Sequence, residues 1–424
     1  MEQIRNWAGN LAYGAAEVLV PESLDEVREM VAGRPRIKAL GTRHSFNDIA
    51  DSEGSLLSVR KLNRVVALDR ERRTVTVEGG IRYGELAAYL HDHGFALPNL
   101  ASLPHISVAG ACATATHGSG DRNGNLATAV RAAEIVKADG ETVVFSRDGT
   151  DEDIAGAAVG LGALGVVTKL TLDVVPTFQV SQDVYENLPL ERLKDGVLEQ
   201  IFASAYSVSL FTDWRSGIFH QIWLKRKLTG DVPAAAAAEP DLFGATKATE
   251  PRHPMPGGPA ENCSEQLGVP GPWSERLAHF RLAFTPSAGD ELQSEYYVAR
   301  QDAYAALCEI DRLRDRIAPL LHVSEIRSIA ADDLWMSPCY RRHSVSIHLT
   351  WKPEEERVRQ VLPLIEERLA PFRARPHWAK LFAMEPARLR PLFERLPDFR
   401  RLALRCDPEG KFRNRFLNRY LFDN

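Results

Sequence analysis

Residues 98–120, PNLASLPHISVAGACATATHGSG, restrict what this chain can fold into more than any other stretch. More than half of the run is glycine, alanine, serine or threonine, so it carries too little apolar volume to form a hydrophobic core. Small side chains let a backbone approach another molecule closely, and bare N–H groups and hydroxyls can hold a diphosphate without a lysine. A glycine-rich surface loop is the alternative, although such a loop would not normally carry ISVAGA between prolines and glycines. We therefore predict that this run cradles a ligand.

The first 178 residues combine short strands with scattered helices. Ser23 followed by Glu26 has the spacing of a helix capping box, and apolar residues at helical spacing predict a second helix that stops at Gly94. Two β-branched runs around charged turns predict hairpins, the second with Asp139-Gly140 as its turn. These elements do not alternate regularly, as they would in a doubly wound parallel sheet. We therefore predict an α+β fold.

The chain changes character at residues 229–273, which are rich in proline, glycine and alanine. The length of this segment indicates either a linker or a functional loop. Strand-like runs then resume in HFRLAFTP, ELQSEYYV, HVSEIRSI and SVSIHLTW. We predict a second domain over residues 179–370, built on an antiparallel sheet with flanking helices.

The motif GLGALG at residues 160–165 satisfies the glycine pattern of dinucleotide-binding folds. Such a fingerprint requires a strand, then the glycines, then a helix. Here the preceding stretch, DEDIAGAAV, is helical in composition, and the motif runs into a strand. We interpret it as a tight helix-to-strand connection in which glycine permits positive φ angles.

Bulk properties exclude several classes of function. The net charge of −5 creates no global field for nucleic acid or anionic lipid, and no apolar run is long enough to span a membrane. The five cysteines contain no CxxC pair, so neither a zinc site nor a disulfide framework is indicated, and we predict no metal. Scattered thiols and the lack of a secretion signal favour a cytoplasmic location.

His44 is the most unusual residue of KALGTRHSFND, residues 38–48, because it stands after a glycine turn, between Arg43 and Ser45. Taken alone, it reads as a loop histidine that bonds a neighbouring carbonyl. A different interpretation of His44 follows when its segment is considered together with five later motifs: SLPHISVAGACATATHGSG, GALGVVTKLTLDVVP, SEIRSI, SIHLTW and RPHWAKLF. In this order, the motifs resemble the vanillyl-alcohol-oxidase flavoprotein superfamily, and within it the bacterial alditol oxidases and their sugar-lactone oxidase relatives.

The resemblance implies a fold and a cofactor. It implies an FAD-binding domain of the vanillyl-alcohol-oxidase (PCMH) type over residues 1–178, a substrate-binding cap domain over 179–370, and a segment over 371–424 that returns to the flavin. His44 would be the covalent attachment point of FAD. The other cofactor contacts that the resemblance implies are Leu40, Gly41, Thr42, Arg43, Ser45, Ser102, Ser107, Gly110, Thr114, Ala115, Thr116, His117, Val166, Val167, His377 and Lys380.

The resemblance also implies a polyol site lined by Ser102, Gln293, Glu325, Arg327, His348 and Thr350. Their spacing makes physical sense, because residues two apart on a strand share a face. Glu325 with Arg327, and His348 with Thr350, would form a polar row suited to a ligand that offers only hydroxyls. From the residues alone, a cross-strand ion pair on a solvated face and a satisfied sheet histidine are the preferred alternatives.

The implied reaction is oxidation of the terminal hydroxyl of an alditol to an aldehyde, with oxygen reduced to hydrogen peroxide. His348 is the candidate base because imidazole titrates near neutrality, while Arg327 and Lys380 would stabilise developing negative charge. The expected partners are a small polyol, such as xylitol or sorbitol, and O2, with neither nucleic acid nor membrane, and we expect a monomer. Two alternatives stay open: a sugar-lactone oxidase or dehydrogenase, and a non-enzymatic FAD-fold protein.

Overall fold

A computed structural model describes residues 4–149, 152–228, 241–284 and 291–422. The strands up to residue 176 are β1 (Glu17–Leu19), β2 (Ile37–Ala39), β3 (Ser55–Leu57), β4 (Val65–Asp69), β5 (Thr74–Glu78), β6 (Phe95–Ala96), β7 (Val130–Val136), β8 (Thr142–Ser146), β9 (Val166–Asp173) and β10 (Val175–Pro176). The helices of this part are α1 (Leu24–Ala32), α2 (Tyr83–Asp92), α3 (Val108–Ala113) and α4 (Asp153–Ala157).

The strands of this first part form two main sheets and the small pair β6–β10. Strands β1, β3 and β2 run parallel in a three-stranded sheet, and β4-β5-β9-β7-β8 form an antiparallel sheet of five described strands. Both predicted hairpins are present, and Gly140 adopts a positive φ of 83° at its turn. Ser23 caps α1 as predicted, but the Glu26 carboxylate accepts from Glu22 N–H instead of closing the box on Ser23.

The remaining chain is organised around one large antiparallel sheet. Its strands are β11 (Gln179–Pro189), β12 (Ser207–Thr212), β13 (Ile218–Leu228), β14 (Asp241–Leu242), β15 (Ala245–Lys247), β16 (Gly271–Pro272), β17 (Leu292–Ala299), β18 (Leu321–Ile329), β19 (Ser344–Trp351) and β20 (Arg375–Pro376). The helices are α5 (Val197–Ala203), α6 (Trp273–Arg276), α7 (Ala303–Asp311), α8 (Arg314–Ile317), α9 (Glu355–Leu369), α10 (Pro386–Leu389), α11 (Leu396–Cys406) and α12 (Arg415–Tyr420).

The order in this sheet is β14-β15-β11-β13-β12-β18-β19-β17-β20, with β16 paired to β11. Three of the four strand-like runs predicted here are confirmed as β17, β18 and β19, which are direct neighbours. The fourth, HFRLAFTP, is wrong over its described residues: Phe280 makes one isolated bridge to Cys263, and residues 281–284 form a turn. Residues 285 and 286 of that run lie outside the described residues.

GLGALG connects a helix to a strand, as its context predicts. The stretch leaves α4 and enters β9 at Val166. Gly162 and Gly165 have φ angles of 65° and 138°, which side chains rarely tolerate. A Cβ at Gly165 would lie 2.2 Å from the carbonyl oxygen of Val136, so this position also requires glycine for close packing against β7.

Two side chains tie the C-terminal part of the chain to its beginning. The Asn414 amide donates to the carbonyl oxygens of Asp48, Ile49 and Asp51 at 2.9–3.1 Å. Asn47 donates in turn to the carbonyl oxygens of residues 378 and 380, at 2.8 Å each. One hydrophobic cluster runs from the first part through the large sheet to α11 and α12.

Among the described residues, no helix has both the length and the apolar character needed to span a membrane. All five cysteines are free thiols.

Candidate active site

A cavity of about 710 Å³ lies between the first part of the chain and the large sheet. The small-residue run, the loop at residues 40–46 and the strands β17, β18 and β19 all contribute to its wall. The predicted site residues that line it are Leu40, Gly41, Thr42, Arg43, His44, Ser45, Ser102, Ser107, Gly110, Thr114, Thr116, His117, Val167, Gln293, Glu325, Arg327, His348, Thr350, His377 and Lys380. Motifs up to about 340 residues apart in sequence thus form one site.

Two predicted cofactor contacts lie outside this wall. Ala115 is buried in the main hydrophobic core and has a left-handed φ of 56°, which turns its side chain into the packing. Val166 is fully buried in a separate cluster with Val27 and Val31 of α1. Their neighbours Thr114, Thr116 and Val167 supply the lining at these positions.

The turn that presents His44 is held by a left-handed residue. Arg43 has a φ of 66°, an uncommon conformation for a residue with a side chain. Gly41 lies against the start of α3, because a Cβ there would come within 3.0 Å of Ser107 Oγ. Gly41 is therefore needed because the backbone packs closely against Ser107, whereas Arg43 is the residue at which the chain reverses direction.

The His44 imidazole is neutral at ordinary pH. Burial lowers its pKa to about 4, helped by the nearby His105 and Arg43. Its Nδ1 lies 3.0 Å from Thr42 Oγ1, and its ring stacks on Trp7 with 5.3 Å between centroids. These contacts fix the ring plane and leave an unprotonated ring nitrogen at neutral pH.

The small-residue run forms the floor of the cavity and fits a flavin dinucleotide. Gly41 and Gly110 pack directly against each other, and added Cβ atoms would meet Ser107 Oγ at 3.0 and 2.9 Å. Hydroxyls of Thr42, Ser107, Thr114 and other residues line the same wall. Backbone that is bare of side chains, together with hydroxyl donors, suits an anionic diphosphate, as the composition of the run predicts.

The large sheet supplies the opposite, strongly polar wall. In its register, Gln293 lies opposite Thr350, and Glu325 lies opposite His348. The predicted polar row on neighbouring strands is therefore confirmed. Arg327 crosses to the first part of the chain, where its guanidinium donates to Ser102 Oγ at 3.4 Å.

Glu295 lies at the centre of this wall, although its sequence context did not single it out. Its fully buried carboxylate accepts from His117 Nε2 at 2.9 Å, Arg327 at 3.0 Å and Lys380 Nζ at 2.8 Å. Burial opposes its ionisation, but the charges of Lys380, His117 and Arg327 outweigh burial and hold its pKa well below the usual range. Its position two residues after Gln293 on one strand was the available signal.

His279 is the second missed residue. It donates from Nε2 to Glu325 Oε1 at 2.7 Å, and it comes from the run that was wrongly predicted as a strand. Burial opposes ionisation of Glu325, but Arg327 and His279 keep the pKa of this carboxyl below its usual range. The wall therefore carries two carboxylates, Glu295 and Glu325, whose negative charges are balanced by the positive charges of Arg327 and Lys380.

His348 differs from the expectation that it titrates near neutrality. Burial, followed by the charge of Lys380, lowers its pKa to about 3. The ring is thus neutral, and its Nε2 is a buried nitrogen without a hydrogen-bond partner among the described residues. Burial likewise lowers the pKa of Lys380, although the Glu295 carboxylate opposes that shift.

Comparisons with known proteins agree with this geometry. A model described as an FAD binding domain matches residues 15–146, and a model described as D-arabinono-1,4-lactone oxidase matches residues 290–420. The chain is 49% identical to an alditol oxidase of a Streptomyces species over 98% of both proteins. The chain belongs to the alditol oxidase family.

More distant relatives include the L-gulonolactone oxidase of Mus musculus, 27% identical, and the L-gulono-1,4-lactone dehydrogenase of Mycobacterium tuberculosis, 28% identical. These alignments cover 98–99% of each chain. The fold is shared with a cholesterol oxidase from B. sterolicum, with a TM-score of 0.77, 15% identity and coverage of 99% of this chain and 96% of the other. It is also shared with a xylooligosaccharide oxidase from Myceliophthora thermophila, with a TM-score of 0.71, 14% identity and coverage of 96% and 92%. The predicted α+β fold and superfamily are confirmed.

Proposed function

We propose that this protein is an FAD-dependent oxidase that converts the terminal hydroxyl of an alditol, such as xylitol or sorbitol, to an aldehyde. One molecule of O2 takes up the two electrons and two protons and becomes hydrogen peroxide. The observation that carries the proposal is the single cavity, in which a hydroxyl-lined glycine cradle beside a neutral histidine faces two carboxylate–cation pairs. The family membership supports the same reaction.

The proposed cofactor is FAD, linked covalently through His44. The small-residue run, with Ser107, Gly110 and Thr114, would hold it, and Val166 and Ala115 would support the neighbouring backbone from behind. When bound, the flavin supplies the chemistry of accepting a hydride and passing electrons to oxygen. The low pKa of His44, caused by burial, supports the covalent link because a neutral imidazole is the nucleophilic form.

The polyol would bind against the charged wall. Arg327 and Lys380 place positive charge where a hydroxyl loses its proton, and such preorganised charge typically lowers a barrier by several kcal/mol (about 3–4). The Nε2 of His348, which has no hydrogen-bond partner among the described residues, is the proposed acceptor of that proton. With a pKa of about 3, lowered by burial, His348 is a weak base in the free enzyme, so the two cations must first acidify the hydroxyl.

Glu325, Gln293, Thr350 and Ser102 are the proposed anchors for the remaining hydroxyls. An analogue that lacks the matching hydroxyl would leave one oxygen of the buried Glu325 carboxylate short of a hydrogen bond, which disfavours its binding. We also propose a monomer in a reducing, cytoplasmic compartment, which the free thiols support.

A sugar-lactone oxidase or dehydrogenase is the second candidate. The match of residues 290–420 to the D-arabinono-1,4-lactone oxidase model favours it, because these residues include Gln293, Glu325 and Lys380. The two candidates share a cofactor and differ in substrate, and a dehydrogenase would also differ in electron acceptor.

An aerobic substrate panel with peroxide detection tests the proposal. We expect peroxide release with xylitol or sorbitol and little with gulonolactone. Turnover of gulonolactone, with either O2 or a dye as acceptor, and no peroxide from alditols would establish the second candidate instead. Failure of every substrate to bleach the flavin anaerobically would contradict both.

A further inference from the structure

His279 joins two proposed polyol contacts that come from different parts of the fold. It belongs to a short segment, residues 276–280, that we call the strap. The backbone N–H groups of His279 and Phe280 both donate to the carbonyl oxygen of Ser102, at 3.0 and 3.2 Å. The His279 side chain reaches Glu325 on β18, with 2.7 Å between Nε2 and Oε1. One residue thus fixes the backbone at Ser102 and the carboxylate of Glu325.

The protonation of this contact is determined by its partner. Glu325 is ionised, so its oxygens only accept hydrogen bonds, and His279 must carry a hydrogen on Nε2. Burial lowers the pKa of His279 to about 4, so the ring is a neutral donor at ordinary pH. The ring packs edge-on against Trp223 and Phe211, with centroids 5.1 and 5.8 Å away. These rings restrict its rotation and hold the donor on Oε1.

The strap is held in place by Lys225 of β13. This buried lysine donates from Nζ to three consecutive carbonyl oxygens, of Arg276 and Leu277 at 2.7 Å and of Ala278 at 2.9 Å. These bonds hold the last residues before His279 against β13. The position of the imidazole is therefore set by the sheet that also carries Glu325.

The contact with His279 gives the two carboxylate oxygens of Glu325 different partners. Oε1 is occupied by the imidazole, whereas Oε2 lies 3.5 Å from Arg327 Nε and 3.9 Å from His348 Nδ1, two residues of the cavity wall. We propose that His279 is a positioning residue for Glu325, which presents Oε2 to a hydroxyl of the polyol and thereby determines specificity. The inference rests on the proposed function and adds a residue that acts through Glu325.

A double-mutant cycle tests this role. His279→Leu removes the donor at similar volume, and His279→Asn carries an amide too short to reach Oε1. His279→Gln places an amide N–H near the position of Nε2. We expect the Leu and Asn variants to raise KM for xylitol roughly ten- to hundredfold with a smaller change in kcat, because a hydrogen bond to a charged group is worth about that factor. His279→Gln should restore KM to within about threefold of the parent.

In a Glu325→Gln background, the same His279→Leu change should alter KM by less than about twofold, because the group it positions is already altered. His93→Leu is the matched control. His93 is a half-buried imidazole at the end of α2 that bonds the carbonyl of Tyr89 at 2.7 Å, outside the cavity wall, and its replacement should leave KM unchanged. The flavin absorbance spectrum of each variant reports whether the cofactor site has folded; if the Leu variant lacks flavin, the Asn and Gln variants carry the comparison.

Equal KM values for the Asn, Gln and parent proteins would overturn the inference. So would an effect of His279→Leu that is as large in the Glu325→Gln background as in the parent, because His279 would then act independently of Glu325. A parent protein that releases no peroxide from any alditol would instead overturn the proposed function, and this inference with it.

Discussion

Replacing Glu295 by glutamine should show which effects depend on the negative charge of this side chain and which depend only on its shape. Glutamine keeps the volume and one acceptor oxygen, so His117 and Arg327 retain a partner. Lys380 loses the carboxylate that lies 2.8 Å from its Nζ. Removing one partner of a buried ion pair costs about 3–5 kcal/mol, and we expect the lower end because Arg327 keeps Glu325 at 3.5 Å.

The effect on catalysis should be about as large, in free energy, as the effect on stability. Burial already lowers the pKa of Lys380, and Glu295 is the first opposing influence. Without that carboxylate the lysine loses its proton at lower pH, and the neighbouring Arg327, His348 and His377 do not replace the lost negative charge. We expect kcat at neutral pH to fall by roughly 10²–10³, the usual cost of one electrostatic donor. The rate should recover partly on acidification, because lower pH restores the proton to Lys380.

The assay is peroxide release from saturating xylitol between pH 5 and 9, with thermal unfolding measured on the same samples. Glu366→Gln is the matched control, because Glu366 is a buried carboxylate that bonds Tyr296 and the N–H of Ala383 away from the cavity. The control should lose stability without a displaced pH profile. A Glu295→Gln variant with the parental kcat and an unmoved profile would refute the role of Glu295 as the counterion of Lys380.

Three further outcomes are expected. Acid precipitation should leave the yellow colour in the protein pellet, whereas His44→Ala should release or fail to hold flavin; colour in the parental supernatant would contradict the covalent link. Thermal stability should fall as the pH drops from about 6.5 towards 4, because burial lowers the folded pKa of histidines such as His279 and His348, so that only the unfolded state binds a proton there. Each such histidine lowers the free energy of unfolding by up to about 1.4 kcal/mol per pH unit. A melting temperature that does not change over that range would show that these rings are not buried in the neutral form. NADH should show no saturable micromolar binding, because GLGALG connects a helix to a strand; binding that competes with flavin would overturn this interpretation.

Local patterns in the sequence predicted most of the fold. The hairpins, the capped helix α1 and three neighbouring strands of the large sheet follow from turn residues, a capping serine and alternation, all of which act over a few residues. HFRLAFTP failed because its alternation does not reflect a buried face: Phe280 makes one isolated backbone bridge to Cys263, His279 turns inward to Glu325, and Leu282 and Phe284 are exposed. Alternation cannot distinguish such a strap from a strand.

The site was predicted less completely, because its electrostatics depend on which strands are neighbours. Sequence spacing placed Glu325 with Arg327, but the neutralisation of Arg327 and Lys380 by Glu295 requires β17 to lie beside β19, which no local pattern encodes. The spacing of residues in the sequence also does not show how deeply each side chain is buried. Burial explains why the pKa of His348 lies near 3 instead of near neutrality.

The tie between the two ends of the chain has a consequence for biosynthesis. His44 and then the small-residue run leave the ribosome early, but Lys380 and Asn414, whose amide binds the carbonyl oxygens of Asp48, Ile49 and Asp51, are made more than three hundred residues after His44. At ordinary elongation rates, this interval is on the order of tens of seconds. During it, the nascent cradle lacks the wall that closes it, so lasting cofactor capture has to wait until residues 377–414 have emerged. A cell short of flavin would therefore accumulate completed apoprotein rather than stalled nascent chains.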